Sequence, residues 1–146
     1  MKKSDNGFTF FQLIIVLVII AVIAVLAIPR FINQTANARS AALNGLVDAI
    51  NNATILAASQ YHLNNVTTSN KNIAVNINGK MITVNSGTGF PTASDTGIGS
   101  ILPSLSDYSV NYKDDIATYN FTKSIADCMV TYNAATGQAV ATESGC

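Results

Sequence analysis

Charge is scarce in this chain. Asp, Glu, Lys and Arg make up 11% of its 146 residues, where ordinary soluble domains carry about a quarter. The formal net charge is zero, so no basic field argues for nucleic acid. Lys71, Lys80, Lys113 and Lys123 are scattered and read as solvated. Histidine is nearly missing as well. His62 stands alone, with no paired Cys or Ser in a recognisable motif, and reads as a polar residue at a helix end rather than a base. Only two cysteines occur, Cys128 and Cys146, both late and with no histidine nearby, which excludes a zinc site. In an oxidising compartment a disulfide is the better reading of that pair. Asp107, Asp114, Asp115 and Asp127 lack calcium-loop spacing, so Asp114-Asp115 reads as a turn. The glycines of "GTGFPTASDTGIGS" come without the Gly-Lys-Ser/Thr of a phosphate loop.

These absences leave no cofactor and no metal to expect. One catalytic triplet remains to be answered. Asp95-Thr96-Gly97 matches the aspartic-protease signature, which should follow a hydrophobic strand that holds the aspartate rigidly beside its twin. Here "NSGTGFPTAS" precedes it and reads as a flexible loop, so a plain turn is expected. A membrane-anchored hydrolase is the remote reading, and the chain is not expected to be an enzyme.

What is present in excess is apolar surface, concentrated before residue 32. From Leu13 to Ile28 every residue is Leu, Ile, Val or Ala. Phe8 to Ile28 spans 21 residues, about 30 Å as a helix, which matches a bilayer core. Lys2 and Lys3 precede it and orient that end to the cytoplasm. A secretory signal has a shorter apolar core and a small-residue cleavage site, which "VLAIPRF" matches poorly. A buried soluble helix is seldom apolar on every face for so long. A membrane-inserted helix is the expectation, with Pro29 as a kink.

The helix is expected to continue to about residue 62. Leu43, Leu46, Val47, Ile50, Ala53, Ala57 and Tyr61 recur at three- and four-residue spacing and make one apolar stripe. Gly45 marks a second soft point. The remainder reads as sheet. In "NIAVNINGKMITVN", Asn78-Gly79 is a type I′ turn signal that pairs Ile77 with Lys80, Val75 with Ile82 and Ile73 with Val84. Residues 85 to 100 read as a loop, and "YSVNY", "ATYNF" and "CMVTYN" as strands, with "ATGQ" as a turn. The fold class expected is α+β: a long N-terminal helix, half membrane-inserted and half amphipathic, packed on a C-terminal antiparallel β-sheet.

Gly7-Phe8-Thr9, the apolar run, the spacing from Phe8 to Pro29 and the helix that follows resemble the type IV pilin family and its type II secretion relatives. "PRFINQTANARSAALNGL" and "CMVTYN" look most like pilins of the mannose-sensitive haemagglutinin type. The resemblance implies a leader at residues 1–7, a filament-core helix half at 8–30 and a head domain at 31–146. It implies cleavage after Gly7 by a membrane prepilin peptidase and N-methylation of Phe8. Gln12 and Pro29 become assembly residues, and Cys128 and Cys146 the disulfide that such heads commonly carry. Partners implied are other pilin subunits, an inner-membrane assembly platform and membrane lipid. The head would face the periplasm before assembly and the cell surface afterwards, in a pilus serving attachment. The family usually has glutamate where Gln12 stands, thought to pair with a neighbour's N-terminal ammonium. Gln12 therefore points to a minor or initiating subunit, or else to a tolerated polar residue near the membrane surface. The alternative function is a secretion pseudopilin, a periplasmic piston subunit.

Overall fold

The computed structural model describes residues 9–64, 72–103 and 105–146, with the side chains of 26–33 outside the described set. The chain divides into two compact units between Asn37 and Ala38. Helix α1, Phe10–Leu63, starts in the first and ends in the second. In the first unit every residue from Phe10 to Val25 is exposed. Among the described residues no helix is long and apolar enough to cross a membrane. The span expected from Phe8 to Ile28 includes Phe8 and the side chains of 26–28, which lie outside the described residues.

The second unit is α+β, with the helix packed on antiparallel sheet. The three- and four-residue spacing of the stripe explains how. Leu43, Leu46, Ile50, Ala53, Ala57 and Tyr61 are all buried, while Val47 is partly so. A helix that repeats apolar residues this way has one face to cover and little choice of which. Thr54 is buried beside the stripe and donates its hydroxyl to the Ile50 carbonyl at 2.9 Å.

Two sheets share that face, where the sequence suggested one. Strands β1 (Asn72–Ile77) and β2 (Lys80–Asn85) form a hairpin in the expected register, with Ile77 opposite Lys80, Val75 opposite Ile82 and Ile73 opposite Val84. Asn78 and Gly79 have φ of 51° and 84°, both positive as a type I′ turn demands. The apolar side of the hairpin packs on Ala57 and Tyr61. An isolated hairpin is marginal in water, so this contact is what secures it. The other sheet is a meander of β3 (Tyr108–Lys113), β4 (Ile116–Phe121), β5 (Met129–Asn133) and β6 (Gln138–Thr142), in that spatial order. Ala117, Tyr119, Val130, Tyr132 and Ala139 turn inward onto Leu43, Leu46, Ile50 and Ala53.

Between β2 and Ile98 the chain runs as turns and bends, the loop its composition suggests, but that loop is tied to the hairpin. The Thr83 amide donates to the Thr96 carbonyl at 2.9 Å, and the Thr92 amide to Thr83 at 3.0 Å. Pro91 bridges Val84. The segment thus lines the outer edge of β2, an edge that would otherwise present unpaired backbone groups. It then enters a one-turn helix, α2 (Ile98–Ile101), which sinks Ile98 fully into the core.

Gly45 lies on the exposed side of α1, and beyond its chain neighbours and the helix's own local backbone nothing lies within 4 Å of where its Cβ would sit. Glycine costs a helix interior about 0.5–1 kcal/mol relative to alanine. Gly45→Ala should therefore raise the denaturation midpoint of the purified chain. An unchanged or lowered midpoint would show that this position is constrained by something other than helix propensity.

Candidate functional site

The first described turn of α1 is closed by a reciprocal pair of side chains. Thr9 sits one residue before the helix, and its carbonyl accepts the first intrahelical bond, from the Leu13 amide at 3.2 Å. The Gln12 amide N–H donates to Thr9 Oγ1 at 3.4 Å. Gln12 Oε1 reaches back and accepts both from the Thr9 amide at 3.0 Å and from the Thr9 hydroxyl at 3.2 Å. This is a capping box: two backbone donors at the helix start, which no preceding turn can satisfy, find partners in each other's side chains. In water such a cap contributes about 1 kcal/mol. Among apolar neighbours it matters more, because an unpaired N–H there has no water to turn to.

Directly after the box comes exposed apolar surface on every side of the helix. Phe10 is 78% exposed, Phe11 71% and Val25 70%. A helix with no polar face to turn outward is stable only when something covers it all round. Gln12 is thus the one polar side chain between Phe10 and Val25, and its carbonyl oxygen is already engaged within its own chain. Of the other residues the sequence singled out for processing and assembly, Gly7 and Phe8 lie outside the described residues. Pro29 lies within α1, with its side chain outside them. Thr9, named above only as part of Gly7-Phe8-Thr9, gains a role of its own here, and Thr-x-x-Gln ahead of an apolar run is the sequence form of that capping box.

At the far end of the chain, Cys128 and Cys146 are bonded to each other, with Cα atoms 4.9 Å apart. Cys128 is fully buried where β5 begins. The Gly145 amide donates to the Asp127 carbonyl at 2.9 Å, and Arg39 Nη1 on α1 donates to the Cys146 carbonyl at 3.3 Å. The approach is close enough that a Cβ on Gly145 would run into the carbonyl of Ala126. The bonded residues are 18 apart in sequence, and a loop of that size is worth about 3 kcal/mol in the chain-entropy account. Reduction of the purified chain should lower its unfolding free energy by about that much. A denaturant midpoint that ignores reductant would deny the bond a stabilising role.

The remaining candidates are dispersed. Asp95 is exposed in a turn, as expected, and the Thr83 hydroxyl donates to Oγ1 of its neighbour Thr96 at 3.1 Å. His62 is exposed near the end of α1, edge-on to Tyr61 with ring centroids 5.3 Å apart. Asp114 and Asp127 hold positive φ in the turns that precede β4 and β5. Among the described residues no three His, Cys, Asp or Glu side chains gather as metal ligands would.

A cleft of about 380 Å³ lies by α2 and β3, lined by Lys80, Asp95, Leu102, Tyr112 and Tyr119 among others. Of that lining Tyr119 is completely buried, and among the described residues its hydroxyl has no partner. Burial pushes that hydroxyl far above the ordinary tyrosine pKa, with Tyr112 and Tyr132 adding to the shift. Tyr132 is equally buried, but its hydroxyl donates to the Pro91 carbonyl at 2.8 Å. Its pKa is pushed up to about 12 by burial, against a smaller lowering from Thr54. The same substitution should therefore act with opposite signs at the two sites. Tyr119→Phe removes an unsatisfied group and should stabilise by up to about 1 kcal/mol, whereas Tyr132→Phe orphans a carbonyl and should destabilise by about 1–2 kcal/mol. Urea midpoints of the two variants, measured side by side, test the contrast; equal losses would refute it.

No family model, curated protein or solved structure matches the chain.

Proposed function

We propose that the chain is a structural subunit of a type IV pilus, made as a membrane-anchored precursor and assembled into a filament. The observation that carries this reading is the helix that is apolar and exposed on every side from Phe10 to Val25. Such a surface asks for two successive solvents: bilayer lipid before assembly, and the equivalent helices of neighbouring subunits afterwards. Neither transfer requires a specific bond, since close packing of apolar helices supplies the association. The head, with its disulfide, suits an oxidising space outside the inner membrane. Attachment to surfaces is the role that the resemblance attaches to such a filament. Prepilin peptidase and an inner-membrane assembly platform are the partners it calls for.

The capping box gives Gln12 a definite part in this scheme. Its oxygen serves Thr9 in the same chain, so the helix start is satisfied without a charge supplied by a neighbour. That fits a minor or initiating subunit, which must enter the filament in few copies.

The processing test comes first. The mature protein should begin at N-methylated Phe8, and Gly7→Val should leave uncut precursor in the membrane. Normal incorporation of that variant into filaments would defeat the proposal. The Gln12 series then examines the helix start. Gln12→Glu preserves the box, since a carboxylate accepts the same bonds, and should be recovered in sheared filaments at least as well as the native chain. Gln12→Ala loses the bond that closes the box onto the Thr9 amide and should be recovered less. Equal recovery of all three, at equal membrane expression, would show that the position is incidental.

A further inference from the structure

The turn between β1 and β2 combines three features that bear on its chemistry. Asn78 is exposed, and the residue after it is glycine. The space around Gly79 is open, with nothing within 4 Å of where a Cβ would stand. Finally, the Gly79 amide does not face solvent unoccupied: it donates to Oδ1 of Asn76 at 3.0 Å.

An asparagine followed by glycine is open to attack by its own backbone. The Gly79 nitrogen gives up its proton to water or hydroxide and attacks Cγ of Asn78. A new N–Cγ bond closes a five-membered succinimide, and the Cγ–Nδ2 bond breaks as the side-chain nitrogen takes a proton from water and leaves as ammonia. Water then opens one of the two imide carbonyls, giving aspartate or isoaspartate. The sum is asparagine plus water going to an acid plus ammonia, with no oxidant or cofactor. Because glycine has no side chain, nothing on residue 79 screens the nitrogen.

We propose that Asn78 is a site of spontaneous deamidation and that the side chain of Asn76 sets its rate. The attacking nitrogen must be deprotonated, and a hydrogen bond accepted from its N–H favours the protonated form. The same bond ties the nitrogen to Asn76 within the turn and so resists the backbone rotation that ring closure requires. The product matters locally. A carboxylate at residue 78 would stand near Lys80, whose ammonium donates to the Ser100 carbonyl at 3.3 Å. Asn78, Lys80 and Ser100 border one hollow of about 200 Å³, floored by Ile77, Ile82 and Ile101. The new charge competes for that ammonium, and an isoaspartate adds a backbone atom to a turn whose register depends on two residues.

The test compares the full chain with its Asn76→Ala and Asn76→Asp variants during incubation at mildly alkaline pH. Peptide mass spectrometry follows acid and isoaspartate at residue 78, and amide hydrogen exchange follows the hairpin. Asn76→Ala should deamidate about fivefold faster, the rate equivalent of losing a hydrogen bond worth about 1 kcal/mol. Asn76→Asp keeps the acceptor and places a negative charge beside a nitrogen that must lose its proton, so it should be no faster than the native chain. Hairpin protection should be unchanged in both. Equal rates in the alanine variant and the native chain would overturn the proposal. So would an aspartate variant as fast as alanine, or an acceleration accompanied by lost hairpin protection, because each places control elsewhere than in the Asn76 bond.

Discussion

Everything in the second unit depends on one constraint: the face of α1 from Leu43 to Tyr61 has to be covered, and neither sheet can stand alone. A two-stranded hairpin buries too little to fold by itself. The four-stranded meander has one apolar side and nothing else of its own to set against it. The helix divides its stripe between them. Leu43, Leu46, Ile50 and Ala53 serve the meander, and Ala57 and Tyr61 serve the hairpin. Small residues at 53 and 57 mark the place where one partner gives way to the next. Tyr61 ends the series by reaching past the hairpin, where its hydroxyl accepts from the Gly87 amide at 2.9 Å.

Hydrogen bonds from neutral side chains do the work of joining these layers at their margins. Asn51 on the helix accepts from the Ala139 amide at 3.1 Å, occupying an N–H on the edge strand β6. Asn85 at the end of β2 donates to the Ala134 carbonyl at 3.0 Å, and Tyr132 to Pro91. The scarcity of charge in the composition is thus matched by an architecture in which amides and hydroxyls hold the seams. Tyr119 is the place where that economy fails, with a hydroxyl carried into the interior and left without an acceptor among the described residues.

How much of this was legible depended on whether a feature is local. The hairpin register follows from Asn78-Gly79 and the alternation around it, because a two-residue turn leaves no freedom in pairing. The helix stripe follows from spacing alone. The strand at Gln138–Thr142 was not legible: "QAVAT" is short and alanine-rich, and it becomes a strand only because β5 offers an edge. Nor was the role of residues 85 to 100, whose glycines, serines and threonines look like a loop in isolation. Their bonds go to a strand edge that exists only after the hairpin has formed, so tertiary context overrides composition. At the candidate site the cysteine pair was readable. Gln12 was noticed for what it lacks, a charge, while its partner Thr9 stood three residues away in the spacing of a cap.

The disulfide also decides how the second unit would bear a mechanical load. Strand β6 lies at the edge of its sheet, and an edge strand pulled from one end ordinarily unzips bond by bond. Here the chain beyond β6 is joined covalently to Cys128, at the start of the neighbouring strand β5. Tension arriving at Cys146 passes through sulfur into Cys128, and the β5–β6 ladder is bypassed rather than peeled. The enclosed stretch, which contains the edge strand β6, is a closed link between Cys128 and Cys146.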